Sequence, residues 1–223
     1  MSLMFQTIFA AMENLLRRRI TLLAAGAGDT TDWEALFCSL IDKTISGDVV
    51  IPSTVDTTKI APYEFENCSD LENIVLPPQI TSLGNYCFNK CSNLVRVTKS
   101  DNSGLTEIGN RCFADCLKLV EIPPLAEGMT VISNWAFMSC TSLTSVDLPS
   151  SIVQINNQAF FACSNLSYII VRATTPPTLQ NASVIPKTIG SIYVPDASVS
   201  AYQAANIWSN YAAKIKPLSE LTT

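Results

Sequence analysis

"FNKCSNL" (88–94) decides how this chain is read, because it returns. "FENCSDL" precedes it at 65–71, and "FADCLKL" (113–119), "FMSCTSL" (137–143) and "FFACSNL" (160–166) follow. Successive phenylalanines Phe65, Phe88, Phe113, Phe137 and Phe160 lie 23, 25, 24 and 23 residues apart. Cys68, Cys91, Cys116, Cys140 and Cys163 keep the same steps, as do Leu71, Leu94, Leu119, Leu143 and Leu166. An aliphatic residue stands five before each Phe (Ile60, Leu83, Ile108, Ile132, Ile155) and another three after each Leu (Ile74, Val97, Ile122, Val146, Ile169). A five-position pattern in five copies marks a repeat architecture.

A period near 24 falls in the range in which each coil supplies a short strand and a helical or 3₁₀ turn. "NIVLP" (73–77), "SVDLP" (145–149) and "YIIV" (168–171) read as the strands: short, β-branched, closed by proline or a turn. "ITSLGNYCFNKCSNL" (80–94) carries apolar residues at the three- to five-residue spacings of a tight helical turn. One coil cannot bury its apolar side alone, so the coils are expected to stack into a continuous core with a parallel sheet along one face. The expected fold is an α/β solenoid with short helical or 3₁₀ turns opposite the sheet and helical segments at both ends.

The units resemble the BspA-type leucine-rich repeat family, whose pattern is V-x-L-P-x-x-[VI]-x-x-I-G-x-x-A-F-x-x-C-x-x-L. "IVLPPQITSLGNYCFNKCSNL" and "VDLPSSIVQINNQAFFACSNL" carry the match. The third unit departs from it, with "SDNSG" (100–104) in place of the Pro-bearing turn, and the fourth has "IPPLAEG". The resemblance covers 45–172 and extends through a terminal segment, 173–223. It implies a surface adhesion or interaction module. The short array and helical head also look like phage or prophage tail-associated proteins with such repeats.

The recurring cysteine admits several chemistries. At one position per coil it forms a ladder of small, apolar, buried thiols, and packing alone accounts for Cys68, Cys91, Cys116, Cys140 and Cys163. The rival sits in "CFNKC" (87–91) and "CFADC" (112–116), where Cys87, Cys91, Cys112 and Cys116 suggest tetrahedral zinc, or a Cys87–Cys112 disulfide. Structural zinc favours C-x₂-C knuckles, two of the four already belong to the ladder, and Cys87 and Cys112 occupy the slot of Ala136 and Ala159. Structural cysteine is the expectation, and no cofactor is expected. Cys38 lies outside the array and reads as core.

Composition narrows the function. The chain has no histidine among its 223 residues, which removes His-dependent triads, His-ligated zinc and most neutral-pH general bases. A net charge of -5 argues against nucleic acid as partner. Phosphate loops, nucleophile elbows and metalloprotease helices are missing from the sequence. "NCS" (67), "NLS" (165) and "NAS" (181) match glycan acceptors and are read as incidental. The expectation is a non-enzymatic recognition scaffold.

The ends read as helical. Residues 4–25 form one apolar-striped helix through Phe5, Ile8, Phe9, Met12, Leu15 and Leu16, stopped by "GAG" (26–28). That stripe suits homo-oligomeric assembly or docking, or packing against its own solenoid. Arg17, Arg18 and Arg19 follow the apolar run, the reverse of a signal peptide, and the run is too short and charged to span a bilayer. A virion-associated or cytoplasmic location is expected; an upstream signal would favour the bacterial surface. Residues 29–44 read as a capping helix. "SVSAYQAANIWSNYAAKIKPL" (198–218) reads as a closing helix ended by Pro217, with Tyr202, Ile207, Trp208 and Tyr211 covering the last coil or forming a sugar-binding patch.

Alternation along the strands sets two outward columns: Asp48, Asn73, Arg96, Glu121, Ser145 and Tyr168, then Val50, Val75, Thr98, Pro123, Asp147 and Ile170. Asn73, Arg96, Thr98, Glu121, Ser145, Asp147 and Tyr168 are the candidate surface for a protein or glycan partner.

Overall fold

The computed structural model describes residues 47–51, 53, 57–101 and 103–221. The expected helices over 4–25 and 29–44, with Cys38 and the assembly stripe, lie outside these residues. The coils stack as the periodicity requires. Phe65, Phe88, Phe113, Phe137 and Phe160 are fully buried and lie ring on ring, centroids 4.9, 5.2, 5.4 and 5.5 Å apart. Each stacked pair adds about 0.5–1.5 kcal/mol beyond its buried area. The leucine and cysteine ladders are buried beside them.

Two rows of parallel strands run along the solenoid. The main row has β1 (Gly47–Val50), β3 (Leu71–Leu76), β5 (Arg96–Lys99), β8 (Ser145–Leu148), β10 (Tyr168–Val171), β12 (Ser191–Val194) and β13 (Ile215–Pro217). It forms two sheets, β1-β3-β5 and β13-β12-β10-β8. The coil between them supplies no strand. Aligned on the repeat, Pro123 and Pro124 fall opposite Thr98 and Lys99, and proline has no N–H to give a ladder.

The second row corrects an expectation. Opposite the main sheet stand two-residue strands instead of helical or 3₁₀ turns: β2 (Lys59–Ile60), β4 (Ser82–Leu83) and β6 (Glu107–Ile108), then β7 (Val131–Ile132), β9 (Gln154–Ile155) and β11 (Thr178–Leu179). The segment after each is not helical either, for a hydrogen-bonding reason. Tyr63, Phe65 and Asn67 donate their N–H groups to the carbonyls of Asn85, Cys87 and Asn89 on the next coil, at 3.0, 2.8 and 2.9 Å. The same triplet recurs from 86, 88 and 90, from 111, 113 and 115, and from 135, 137 and 139. A helix keeps its N–H groups within its own turn; here alternate ones leave for the neighbour. The chain achieves this by turning left-handed twice per coil, at Tyr63, Tyr86, Arg111, Trp135 and Gln158 and again at Asn67, Lys90, Asp115, Ser139 and Ala162.

Polar ladders run alongside. Asn110 donates its backbone N–H to Asn85 Oδ1 at 2.7 Å, Asn134 does so to Asn110 Oδ1 at 3.1 Å, and Asn157 to Asn134 Oδ1 at 3.2 Å. Lys99 takes the register position of Leu76 and is buried, its ammonium donating to the carbonyls of Pro78 (2.9 Å) and Ile80.

The closing segment is not one helix. A 3₁₀ turn (Asp196–Ser198) leads into a six-residue helix α1 (Val199–Ala204), which ends where Ala205 is extended. Ile207 then turns left-handed (φ 65°) before a second 3₁₀ stretch, Trp208–Lys214. Pro217 does not end a helix; it stands in β13, which pairs with β12. Tyr202, Trp208 and Tyr211 are buried, and their polar tips donate to the carbonyls of Ala173 (2.7 Å), Pro177 (2.7 Å) and Ile185 (2.8 Å). Buried rings with satisfied tips cover the last coil and leave no sugar patch there.

Candidate functional site: the main sheet face and its interruption

The register of the main row places the outward columns side by side. Asp48 pairs with Asn73 and Asn73 with Arg96; Val50 pairs with Val75 and Val75 with Thr98. Beyond the interruption Ser145 pairs with Tyr168, and Asp147 with Ile170. Asn73 Nδ2 donates to Asp48 Oδ1 at 2.6 Å. Arg96 on β5 meets Glu121 on the adjacent, strandless coil at 3.0 Å, both more than half exposed, so the pair contributes at most about 1 kcal/mol. Two residues of these columns are not outward-accessible: Pro123 and Ile170 are buried.

Several residues of this face escaped the sequence reading. Ser191 and Tyr193 extend the columns onto β12, and Lys216 onto β13. Tyr193 meets Tyr168 edge-to-face at 5.8 Å. The signal was present: "SIYVP" (191–195) repeats the form of "SVDLP" (145–149), one coil beyond the last Phe-Cys-Leu unit. Arg172 grips Asp147 with two bonds, Nε to Oδ1 and Nη2 to Oδ2, each 2.7 Å. That carboxylate's hydrogen bond raises the arginine pKa.

The interruption itself makes a concavity. Where the fourth coil lacks a strand, a groove of about 300 Å³ opens, lined by Ile122, Pro123, Pro124, Leu125, Pro149 and Glu127, with the Asp147–Arg172 fork at its rim. Glu127 receives the Ser150 hydroxyl (2.9 Å) and the Ser150 N–H (3.1 Å), which hold its pKa down. An apolar, proline-walled floor with fixed charges at the rim is chemistry for binding a side chain.

The thiols are elsewhere and otherwise engaged. Cys91, Cys116, Cys140 and Cys163 donate to the carbonyls of Phe65, Phe88, Phe113 and Phe137 at 2.9, 3.1, 3.2 and 3.0 Å. They bond coil to coil as well as packing. Burial pushes the Cys87, Cys91, Cys116 and Cys140 thiols well up and that of Cys163 to about 12, the opposite of an activated nucleophile. The seven described cysteines are free, and among the described residues no group of three or more Cys, Asp or Glu is placed to hold a metal ion. No described helix is long and apolar enough to cross a membrane.

Stacked coils, buried ladders and a parallel main sheet define a leucine-rich repeat solenoid. Residues 58–182 match the BspA type leucine-rich repeat region in six copies, and the chain belongs to that family. Among solved structures, a leucine-rich repeat protein of T. pallidum is 30% identical, with a TM-score of 0.52 over 56% of this chain and 59% of that one. A leucine-rich cell surface protein of Faecalibacterium prausnitzii is 23% identical (TM-score 0.43; 78% of this chain, 48% of that one). The pneumococcal vaccine antigen PcpA is 19% identical (0.45; 72% and 43%). The chain thus spans about three fifths of the first and less than half of the other two. No curated protein sequence matches it.

Proposed function

We propose that the chain is a non-catalytic recognition scaffold that binds a protein partner through the main sheet face, centred on the groove at its interruption. The groove carries the reading: it sets apolar residues beside an arginine–carboxylate fork, and farther along the same sheet face Tyr168 and Tyr193 pair across β10 and β12. Tyrosine, arginine and apolar residues around a concave centre are the composition of binding hot spots, and solenoids engage partners through extended faces. Buried, raised thiols and the absence of histidine leave little for acid–base or nucleophilic chemistry. Display outside a cell, on a phage tail or as a bacterial surface adhesin, is consistent with thiols shielded from oxidants.

The experiment is an overlay of the full chain on candidate host surface proteins and on a glycan array, beside an Arg172→Ala/Tyr193→Ala variant. Loss of a protein interaction in the variant, at an unchanged melting temperature, is the expected result. Binding indifferent to both substitutions refutes the sheet-face reading. Solution mass with and without residues 1–28 tests oligomerisation through the head: an oligomer that becomes monomeric supports it, and a monomer in both removes it.

A further inference from the structure

The two left-handed columns differ in what they carry. The one two residues after each Phe holds Asn67, Lys90, Asp115, Ser139 and Ala162, mostly short residues, two of them of the types that tolerate a positive φ. The one two residues before each Phe holds Tyr63, Tyr86, Arg111, Trp135 and Gln158, all at φ between 53° and 65°. None of these five is a type that favours that backbone, and every one ends in a planar group. Bulky residues held at an unfavourable φ point to what their side chains do.

These side chains stand in file along the flank of the array. Tyr63 and Tyr86 stack at 5.0 Å with planes 14° apart, and Tyr63 is 53% exposed. The Arg111 guanidinium lies 4.8 Å over the Trp135 ring, and Trp135 Nε1 donates to Gln158 Oε1 at 2.7 Å. Each backbone step is also a step of the asparagine ladder, for Asn85, Asn110, Asn134 and Asn157 immediately precede Tyr86, Arg111, Trp135 and Gln158. Stacked this way, the strip carries one planar polar side chain per coil: the phenols of Tyr63 and Tyr86, the Arg111 guanidinium, and the Trp135 indole bonded to the Gln158 amide.

We infer that this strip is a second binding site, for an extended, uncharged polysaccharide chain running along the solenoid axis. Spacing selects the ligand. The coils advance by the 4.9–5.5 Å of the phenylalanine stack. An equatorially linked pyranose chain advances by a similar distance per sugar and brings hydroxyls at each step. A strand advances about 3.3 Å per residue and a polyproline helix about 3.1 Å, so neither sets one residue against each coil. Charge selects neutrality: two cations, Lys90 and Arg111, and two anions, Glu66 and Asp115, stand on and beside the strip and cancel.

Calorimetric titration of the full chain with cellohexaose and with the β-1,4-linked N-acetylglucosamine hexamer tests this, using Tyr86→Ala, Trp135→Ala and, as a sheet-face control, Tyr193→Ala. Binding of at least one hexasaccharide is expected, weakened about tenfold or more in each strip variant and unchanged in the control. Failure to bind either sugar, or binding that ignores the strip variants, overturns the inference. Lower melting temperatures in the strip variants without sugar binding by the parent chain make the file a structural stack, and capture of a proline-rich decapeptide instead of sugar also overturns it. The control separates this outcome from failure at the sheet face.

Discussion

A thiol that donates to a carbonyl inside an apolar stack is a different object from a thiol that only fills space. Cys140 shows both roles, fully buried and bonded to Phe113 O at 3.2 Å. The consequence is a pH dependence with a definite sign. An unfolded cysteine ionises near about 8.5, whereas burial raises the thiols of Cys87, Cys91, Cys116, Cys140 and Cys163 above that. Below about pH 8.5 both states hold these protons and stability is indifferent to them. Above it the unfolded chain releases protons the folded chain keeps, so stability falls as pH rises, until Cys163 itself ionises at about 12. Each thiol costs about 1.4 kcal/mol per pH unit, about 7 kcal/mol together, within the whole stability of an ordinary domain. Melting temperature is expected to hold from about pH 6.5 to 8 and to collapse between about pH 9 and 10.5. Cys140→Ala should shallow that slope while costing about 1–3 kcal/mol at neutral pH, through the lost bond and methyl-sized void. A flat melting profile through pH 10.5 would sink this account.

Between coils, backbone meets backbone most closely at Gly104, where a Cβ would stand 2.1 Å from Ala126 N, and similar approaches recur at Gly84 and Gly109. A Cβ on Gly84 would stand 2.4 Å from Pro62 N and 2.7 Å from the Ala61 carbonyl carbon; one on Gly109 would stand 2.5 Å from Asn85 N. Both obstacles are backbone, which no rotamer change relieves. Gly84→Ala is expected to lower stability by about 1–3 kcal/mol in urea unfolding, and an unchanged midpoint would mean the first coils are spaced more loosely than described. Such elements were only partly legible. Phe-Cys-Leu periodicity announced the core because burial acts on side-chain type, and the family pattern carried the glycine. The flattened segment did not announce itself, since the left-handed residues two before each Phe are Tyr, Arg, Trp and Gln rather than Gly or Asn. Asn85, Asn110, Asn134 and Asn157 recur three residues before Phe in four units, a signal as regular as the cysteines. An apolar template passes over polar ladders. The closing segment looks helical in sequence because of its Ala-rich spacing, but nothing in that spacing signals the positive φ of Ile207 that precedes the buried Trp208.

For the whole molecule, stability in a solenoid is carried between neighbouring coils, so a weak junction is felt locally. The weak junction here is the fourth coil. β5 and β8 each have a strand on one side only, whereas β10 and β12 have one on both. Across the gap the main-sheet ladder is missing, and the halves are joined by the phenylalanine stack, the asparagine ladder and the N–H groups of Arg111, Phe113 and Asp115 reaching the next coil. Two prolines therefore do two things at once, removing ladder donors and walling the groove. Binding surfaces are drawn from the less stable parts of a fold, and the groove sits in one. Hydrogen exchange should accordingly protect Tyr168–Val171 and Ser191–Val194 more strongly than Arg96–Lys99 and Ser145–Leu148, with the contrast shrinking when a partner occupies the groove. Uniform protection from β5 to β12 would show that the core ladders alone hold the junction. The groove would then be a rigid notch and not the yielding part of the array.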